Sequence, residues 1–172
     1  MKKIFRKIAA KKKQIGLFLL ILFVAIQFYR PSRNTGSADG PNDITHYTTV
    51  SPEVKTVLET SCYDCHSDHT EYPWYTNIQP VGWWMAGHVS DGKRALNFSQ
   101  FTTYGIQRKM RKFKQIADEI NEGEMPLDSY LWIHRYAILT DAQKKTVADW
   151  AMENRKAMEL QYPDSIPKEK KR

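Results

Sequence analysis

The two cysteines of this 172-residue chain lie three residues apart and are followed directly by a histidine, in the segment Cys62-Tyr-Asp-Cys65-His66. Two thiols at this spacing can reach the two vinyl groups of one haem, and the histidine that follows is then held beside the iron as an axial ligand. The pattern therefore predicts one covalently bound haem c, with thioether bonds from Cys62 and Cys65 and with His66 as a metal ligand.

Two other uses of this motif remain open. Together with His69, the motif offers four ligands for zinc, although zinc sites usually take their ligands from two separated elements. A redox dithiol would place its cysteines at the start of a helix that follows a strand, whereas a predicted helix precedes Cys62 here. The spacing therefore favours haem over zinc and over a redox dithiol.

Met125 is the preferred candidate for the second axial ligand of the iron. It lies in the segment Gly123-Glu-Met125-Pro126, between a predicted helix and a later capping box, so a loop stiffened by proline would present its thioether. A thioether ligand stabilises ferrous iron and raises the reduction potential. We therefore predict His66 and Met125 as the metal ligands.

Two histidines are alternative ligands. His88 ends the aromatic segment Trp83-Trp84-Met-Ala-Gly-His88, which is expected to contribute to the cofactor pocket, with both tryptophans shielding the ring. His134 follows Met125 closely in the chain. A single histidine is more often a hydrogen-bonded core or surface residue than a ligand, so Met125 remains preferred.

Helix signals surround these candidate site residues. Ser51-Pro52-Glu53 is typical of a helix start, with serine as N-cap and proline at the first position, and this helix runs into Cys62. Three further helices are predicted over residues 80–87, over 104–122 with Gly123 as terminator, and from a capping box at Thr140-Asp-Ala-Gln143 to about Leu160. No stretch shows the sustained alternation of a strand, so the fold is predicted to be mostly α with long loops.

The N-terminus carries most of the excess positive charge. Eight of the 26 lysine and arginine residues lie within residues 1–30, which contain no acid, and the uncharged run 14–29 follows the first seven of them. A basic head before an apolar run predicts a single transmembrane helix rather than a nucleic-acid-binding surface. The rival interpretation, a cleaved signal peptide, lacks a small-x-small cleavage pattern after the run.

These patterns divide the chain into five predicted segments. They are a basic cytoplasmic segment (1–13), a transmembrane anchor (14–30), a flexible linker (31–43), a haem-binding domain (44–162) and a disordered tail (163–172). Because positive residues stay in the cytoplasm, we expect a single-pass protein of the bacterial inner membrane, with its haem domain in the periplasm. The basic stretch 108–112 is expected to form a solvated helix face.

Several segments together resemble one family, the small bacterial haem-binding domain proteins, which look like distant c-type cytochromes. The matching segments are Cys62–Ser67, Tyr72–Tyr75, Pro80–Trp84, His88-Val89, Gly92–Ser99, and Met125–Leu127 with Tyr130 and His134. The resemblance implies covalent haem c, a cytochrome-c-like fold, a periplasm-facing location and no catalysis of its own. It also marks His88 and His134 as family features, one of which could hydrogen-bond a haem propionate.

Three functions are compatible with a haem in this setting. An electron carrier, held at the membrane by its N-terminal helix and serving a redox partner protein in or at the membrane, agrees with a His–Met ligand pair. A haem-based sensor or gas-binding module needs a displaceable sixth ligand. A peroxidase needs an open iron site and an acid–base group above it, and the single haem motif argues against an enzyme. We therefore predict an electron carrier, with the sensor as the alternative.

Overall fold

The computed structural model describes residues 2–167, with side chains from residue 11 onward, and it is mostly helical. Within those residues the α-helices are α1 (Lys2–Ile26), α2 (Pro52–Ser61), α3 (Tyr63–His66), α4 (Val81–Ala95), α5 (Ile106–Glu122), α6 (Asp128–Leu131) and α7 (Asp141–Gln161). Short 3-10 turns lie between them, at Ile44–His46, Trp74–Asn77, Phe98–Thr103 and Arg135–Ala137, and a last one follows α7 at Pro163–Ser165.

Local sequence signals set the ends of the longer helices. Ser51 caps α2 by accepting the Val54 N–H with its side-chain oxygen. Helix α5 ends at Gly123, whose φ of 77° lies in the left-handed region that a side chain disfavours. Helix α7 begins with the predicted capping box, in which Thr140 and Gln143 each satisfy the other's backbone N–H. These three predicted helix boundaries are confirmed.

The chain divides into two compact units, which are Met1–Arg33 with Tyr72–His88 and Asn34–Glu71 with Val89–Arg172. In the larger unit, α5 packs along α7, and α2 also packs on α7. Phe113 of α5 lies 5.1 Å from Phe101 and 5.7 Å from Trp150 of α7, measured between ring centroids. Large buried rings contribute most of the apolar area of such a core, so this cluster fixes how α5 and α7 pack.

The smaller unit joins the end of α1 to residues 72–88. The side-chain amide of Gln27 donates to the Gln79 carbonyl (3.2 Å) and accepts the Gln79 N–H (2.8 Å), which makes a reciprocal pair. The Trp83 indole N–H donates to the Tyr29 carbonyl (2.8 Å), and the two rings meet edge to face. Hydrogen bonds that involve backbone groups therefore connect the end of α1 to residues 79–83.

The predicted transmembrane helix at residues 14–30 is wrong. Among the described residues, no helix is both long enough and apolar enough to cross a membrane. Helix α1 has 25 residues, but its uncharged part runs only from Gln14 to Ile26, short of the roughly 20 apolar residues that a span needs. The predicted location in the bacterial inner membrane, with the haem domain in the periplasm, depended on this helix and is wrong with it.

The predicted linker and tail have some local structure where they are described. The Asn34 side-chain amide donates to the Ser67 carbonyl (2.9 Å), and the Gly36 N–H donates to the Asp68 carbonyl (2.7 Å). At the other end of the chain, Pro163–Ser165 forms a 3-10 turn, and residues 168–172 of the predicted tail lie outside the described residues. The predicted segment limits stay predictions.

Candidate functional site

The cysteine–histidine motif forms a tight turn where α2 ends. Cys62 closes α2 by donating its N–H to the Leu58 carbonyl over 3.0 Å. The Cys62 carbonyl then accepts two N–H groups, from Cys65 (3.2 Å) and from His66 (2.9 Å). Because one carbonyl closes both bonds, the two thiol-bearing residues and the imidazole belong to a single helical turn.

His66 is held in one tautomer by the main chain. Its Nδ1 lies 2.9 Å from the Leu96 carbonyl oxygen, which can only accept, so Nδ1 carries the proton and Nε2 keeps its lone pair. Burial lowers the pKa of His66, against the raising effect of carbonyl contacts with Leu96 and Gly92. The imidazole is therefore neutral at neutral pH, and this is the form that binds a metal through Nε2.

The two cysteines are half-buried free thiols. Burial raises the pKa of Cys62 to about 12 and that of Cys65 to about 11, with a further contribution from Cys65 at Cys62 and from Asp64 at Cys65. Catalytic redox dithiols need the opposite, a pKa that is lowered so that a thiolate forms at neutral pH. The environment of the motif therefore disfavours a disulfide-exchange function.

A mostly apolar cavity of about 260 Å³ lies beside this turn. Its lining residues are Leu58, Ser61, Cys62, His66, Ala95, Leu96, Phe98, Lys112, Gln115, Ile116, Glu119, Ile120, Met125, Pro126 and Leu139. Three of the residues predicted from the sequence, Cys62, His66 and Met125, thus line one cavity. They come from the motif turn and from the loop after α5.

The loop that carries Met125 (residues 123–127, the Met125 loop) is fixed to the end of α5. After the left-handed Gly123, the N–H groups of Glu124 and Met125 both donate to the Glu119 carbonyl, over 2.9 Å and 3.2 Å. The Gly123 N–H also donates to this carbonyl, so three successive residues of the loop are bonded to the last turn of α5. The half-buried Met125 thereby lines the cavity from the α5 side.

Gly92 is a site residue that the chemistry of the motif does not reveal. A Cβ atom at this position of α4 would lie 2.5 Å from the Cys65 carbonyl oxygen and 3.1 Å from the Cys65 carbonyl carbon. Only glycine therefore lets α4 approach the backbone of the motif this closely. Four residues later in the chain, Leu96 supplies the carbonyl that orients His66.

The charged side chains of the lining, Lys112 and Glu119, come from α5. Lys112 is half-buried and donates to Oε1 of Gln115 over 2.6 Å, while burial, reinforced by Arg108 and Arg111, lowers the pKa of Lys112. The stretch 108–112 was expected to form a solvated face, and the structure differs. Lys109 is buried with its ammonium 4.1 Å from the Tyr47 ring centroid, and Lys112 lines the cavity. The helical spacing of Lys112, Ile116 and Glu119 is the signal in the sequence for this face.

His134 lies outside the cavity lining. It is buried, with its ring stacked on Tyr130 at 4.0 Å between centroids and its Nδ1 3.1 Å from the Tyr130 carbonyl oxygen. Cys65 is also not among the residues that line the cavity, although it shares the motif turn with Cys62.

Trp83, Trp84 and His88 belong to the smaller unit, and none of them is among the described residues that line the cavity. Trp83 is engaged with Tyr29, as described above. Trp84 is half-exposed and meets the His88 ring edge-on at 4.4 Å. Their predicted role in holding a cofactor stays a prediction.

The donor set of the larger unit fits a haem. A haem needs an apolar pocket for its ring and one or two axial donors for its iron, and imidazole and thioether are common choices. The cavity provides an apolar lining, a neutral His66 with its Nε2 lone pair, and the Met125 thioether. Cys62 lines the same cavity and adds a thiol to this donor set.

Comparison with known families agrees with this geometry. A family model described as a haem-binding domain matches residues 21–153, which include the motif turn and the Met125 loop. The site and this match define a haem-binding protein. The chain belongs to the haem-binding domain family. No curated protein and no solved structure matches it.

Proposed function

We propose that this haem-binding protein holds one haem c covalently and serves as an electron carrier. Cys62 and Cys65 would form the thioether bonds, and His66 Nε2 and the Met125 sulfur would ligate the iron. The observation that supports this most is that a neutral imidazole with Nε2 unprotonated lines the same apolar cavity as a thioether and a thiol. The raised pKa values of both thiols, which disfavour exchange chemistry, point the same way.

The chain's own residues set the conditions for electron transfer. When bound, haem supplies a one-electron couple at its iron. The Leu96 carbonyl keeps His66 in the tautomer that can ligate, the apolar side chains limit access of water, and a Met125 ligand favours the ferrous state. A carrier of this kind gives its electron to a redox partner protein.

Lys112 and Gln115 would hold the polar end of the haem. Both residues line the cavity on α5, and a haem carries carboxylates that need charged or polar partners. The ammonium of Lys112 has a neutral amide as its hydrogen-bond partner, so it remains available to a carboxylate. Lys114, on the same helix, is already paired with Asp118 at 2.8 Å.

Covalent attachment is tested by extraction. Protein produced with a cytochrome c maturation system is treated with acidified acetone, and the pyridine haemochrome spectrum of the precipitate is recorded. We expect wild-type protein to retain haem c, and a Cys62→Ala/Cys65→Ala variant to lose all haem to the solvent, since the chain has no other cysteine. Complete extraction of haem from the wild type would show non-covalent binding and refute the thioether assignment.

Axial ligation is tested with matched pairs of variants. We expect His66→Ala to lose haem and His69→Ala, at a nearby and partly exposed position, to keep it. We expect Met125→Ala to lose the sulfur-to-iron charge-transfer band of the ferric protein and the exposed Met152→Ala to keep it. Ferrous wild type should resist carbon monoxide, and Met125→Ala should bind it fast. Rapid and complete binding to the wild type would instead favour the gas-binding alternative.

A further inference from the structure

Asp64 lies between the two cysteines and uses its acceptors on three partners. Its Oδ1 accepts the Glu71 N–H (3.0 Å), its Oδ2 accepts the Tyr130 hydroxyl (2.7 Å), and its main-chain carbonyl accepts the Thr70 hydroxyl (2.6 Å). Two of these partners are close in the chain, whereas Tyr130 is 66 residues away. The bond to Tyr130 therefore joins the motif turn to a distant segment.

That distant segment is the continuation of the Met125 loop. Tyr130 lies in α6, and its N–H and that of Leu131 both donate to the Leu127 carbonyl, so the helix starts directly after the loop. His134 stacks on the Tyr130 ring and contacts its carbonyl. Burial and the bond to Asp64 raise the pKa of Tyr130, so its hydroxyl stays protonated and remains a donor.

The Met125 loop is thus attached at both ends. The Glu119 carbonyl holds its beginning to α5, and the Tyr130–Asp64 hydrogen bond holds its end to the motif turn. We propose that this hydrogen bond makes Tyr130 and Asp64 positioning residues, which hold the loop so that Met125 stays at the cavity. The inference rests on the proposed function only for the role of Met125 as a ligand.

Tyr63 provides a matched control. It is also a tyrosine whose hydroxyl donates to a carboxylate, Oδ2 of Asp43, over 3.0 Å. Tyr63 lies in the motif turn itself, and Asp43 is a buried residue before the turn, so this bond does not reach the loop. Replacing either tyrosine by phenylalanine removes one hydroxyl of the same kind, and only Tyr130→Phe frees the end of the loop.

The deciding experiment is amide hydrogen exchange of the full-length haem-free chain. We expect Tyr130→Phe to speed exchange in residues 124–131 by about tenfold or more, since a hydrogen bond to a carboxylate is among the stronger ones. We expect Tyr63→Phe to leave that segment unchanged. Equal exchange in wild type and Tyr130→Phe, or equal acceleration by both variants, would overturn the proposal. Asp64→Ala should also speed exchange in residues 124–131. Asp64→Asn keeps an acceptor oxygen for the Tyr130 hydroxyl, so it should speed exchange less than Asp64→Ala does.

The haem-loaded protein then separates this proposal from the proposed function. Haem content of Tyr130→Phe should equal that of wild type, while its ferrous form binds carbon monoxide about tenfold faster. If exchange in the haem-free loop rises but carbon monoxide binding does not change, the positioning bond stands and Met125 is not the ligand. If neither changes, the positioning role is refuted whatever the ligand.

Discussion

The motif turn (Cys62–His66) and the Met125 loop (residues 123–127) line the same cavity, but the fold holds them differently. The turn is closed by its own backbone, bonded through His66 to the Leu96 carbonyl, and packed against Gly92 without room for a methyl group. The loop depends on the Glu119 and Ile120 carbonyls at its start and on one distant side-chain hydrogen bond at its end.

Because of this difference, we expect the motif turn to be needed for the site to exist and the Met125 loop to modulate its properties. A segment that is packed and bonded at many points opens only when much of the fold opens, whereas a segment held at two points can open locally at lower cost. Changes in the turn should therefore remove the site, and changes on the loop side should alter how well it works. Four measurements test this contrast, and they are given from the largest expected effect to the smallest.

The largest effect is the protection of the thiols in the haem-free protein. The thiolate is the species that alkylates, and burial moves the pKa of Cys62 from 9.0 to about 12 and that of Cys65 to about 11. A thiolate of higher pKa is also more nucleophilic, which offsets part of this loss, so at pH 8 iodoacetamide should modify native Cys62 about fiftyfold, and Cys65 about tenfold, more slowly than the urea-unfolded chain. Mass spectrometry of quenched samples gives both rates. Equal rates in the native and unfolded chains would mean that the turn is open.

Gly92→Ala tests the contact behind the turn. The added Cβ would meet the Cys65 carbonyl oxygen at 2.5 Å, so we expect a loss of about 1–3 kcal/mol in the free energy of unfolding measured with urea. Gly87→Ala, in the same helix, adds a Cβ with nothing within 4 Å and should be neutral or stabilising. If the two variants are equally stable, α4 does not restrain the turn.

Lys112→Gln tests the α5 side of the cavity. The lysine is only half-buried, so its attraction to a carboxylate is screened, and affinity of the haem-free chain for iron protoporphyrin IX should fall about two- to fivefold. The dimethyl ester of the same porphyrin should bind wild type and variant equally. Lys114→Gln, which breaks the pair with Asp118, is the control and should change neither affinity. An equal loss with the ester would show that Lys112 acts through packing.

The smallest effect is the pH dependence of the haem-free chain that is due to His66. Burial lowers the pKa of His66 in the folded chain below its usual 6.5, so the unfolded chain binds the proton first as pH falls. This contribution to the free energy of unfolding is therefore present above pH 6.5 and is lost as pH falls from there through the folded pKa. Urea midpoints from pH 8 to pH 5 measure it, and His66→Asn should show a smaller decline. If the urea midpoint falls equally in wild type and in His66→Asn, a group other than His66 takes up the proton.

Short-range features of this molecule could be predicted from the sequence. The serine cap of α2, the glycine end of α5 and the capping box of α7 depend on neighbours within a few residues, and all three are present. Haem binding, which the motif and the resemblance predicted, agrees with the family to which the chain belongs.

Features that depend on distant residues could not be predicted in this way. The carbonyl that orients His66 belongs to Leu96, and the neighbour that requires glycine at position 92 is Cys65. A leucine or a glycine in the sequence does not indicate that its backbone contacts a distant cysteine or histidine. The basic stretch 108–112 predicts a solvated face, whereas Lys112 lines the cavity, because charge alone does not show which side of α5 faces a cavity. The uncharged run of α1 predicts a span only if flanking charged residues make up for its short length, and among the described residues no helix is long and apolar enough to cross a membrane.

The Tyr130–Asp64 hydrogen bond also determines how much of the chain must be present for the cavity to be complete. It joins residues 66 positions apart, and the entropy cost of closing that loop is offset only when both ends are present in one folded unit. Helices α2 and α5 can form from local sequence, but the two walls of the cavity are joined only by contacts of long sequence separation. A fragment that ends before Tyr130 therefore keeps every cysteine and histidine of the motif and lacks the bond that joins the motif to the loop.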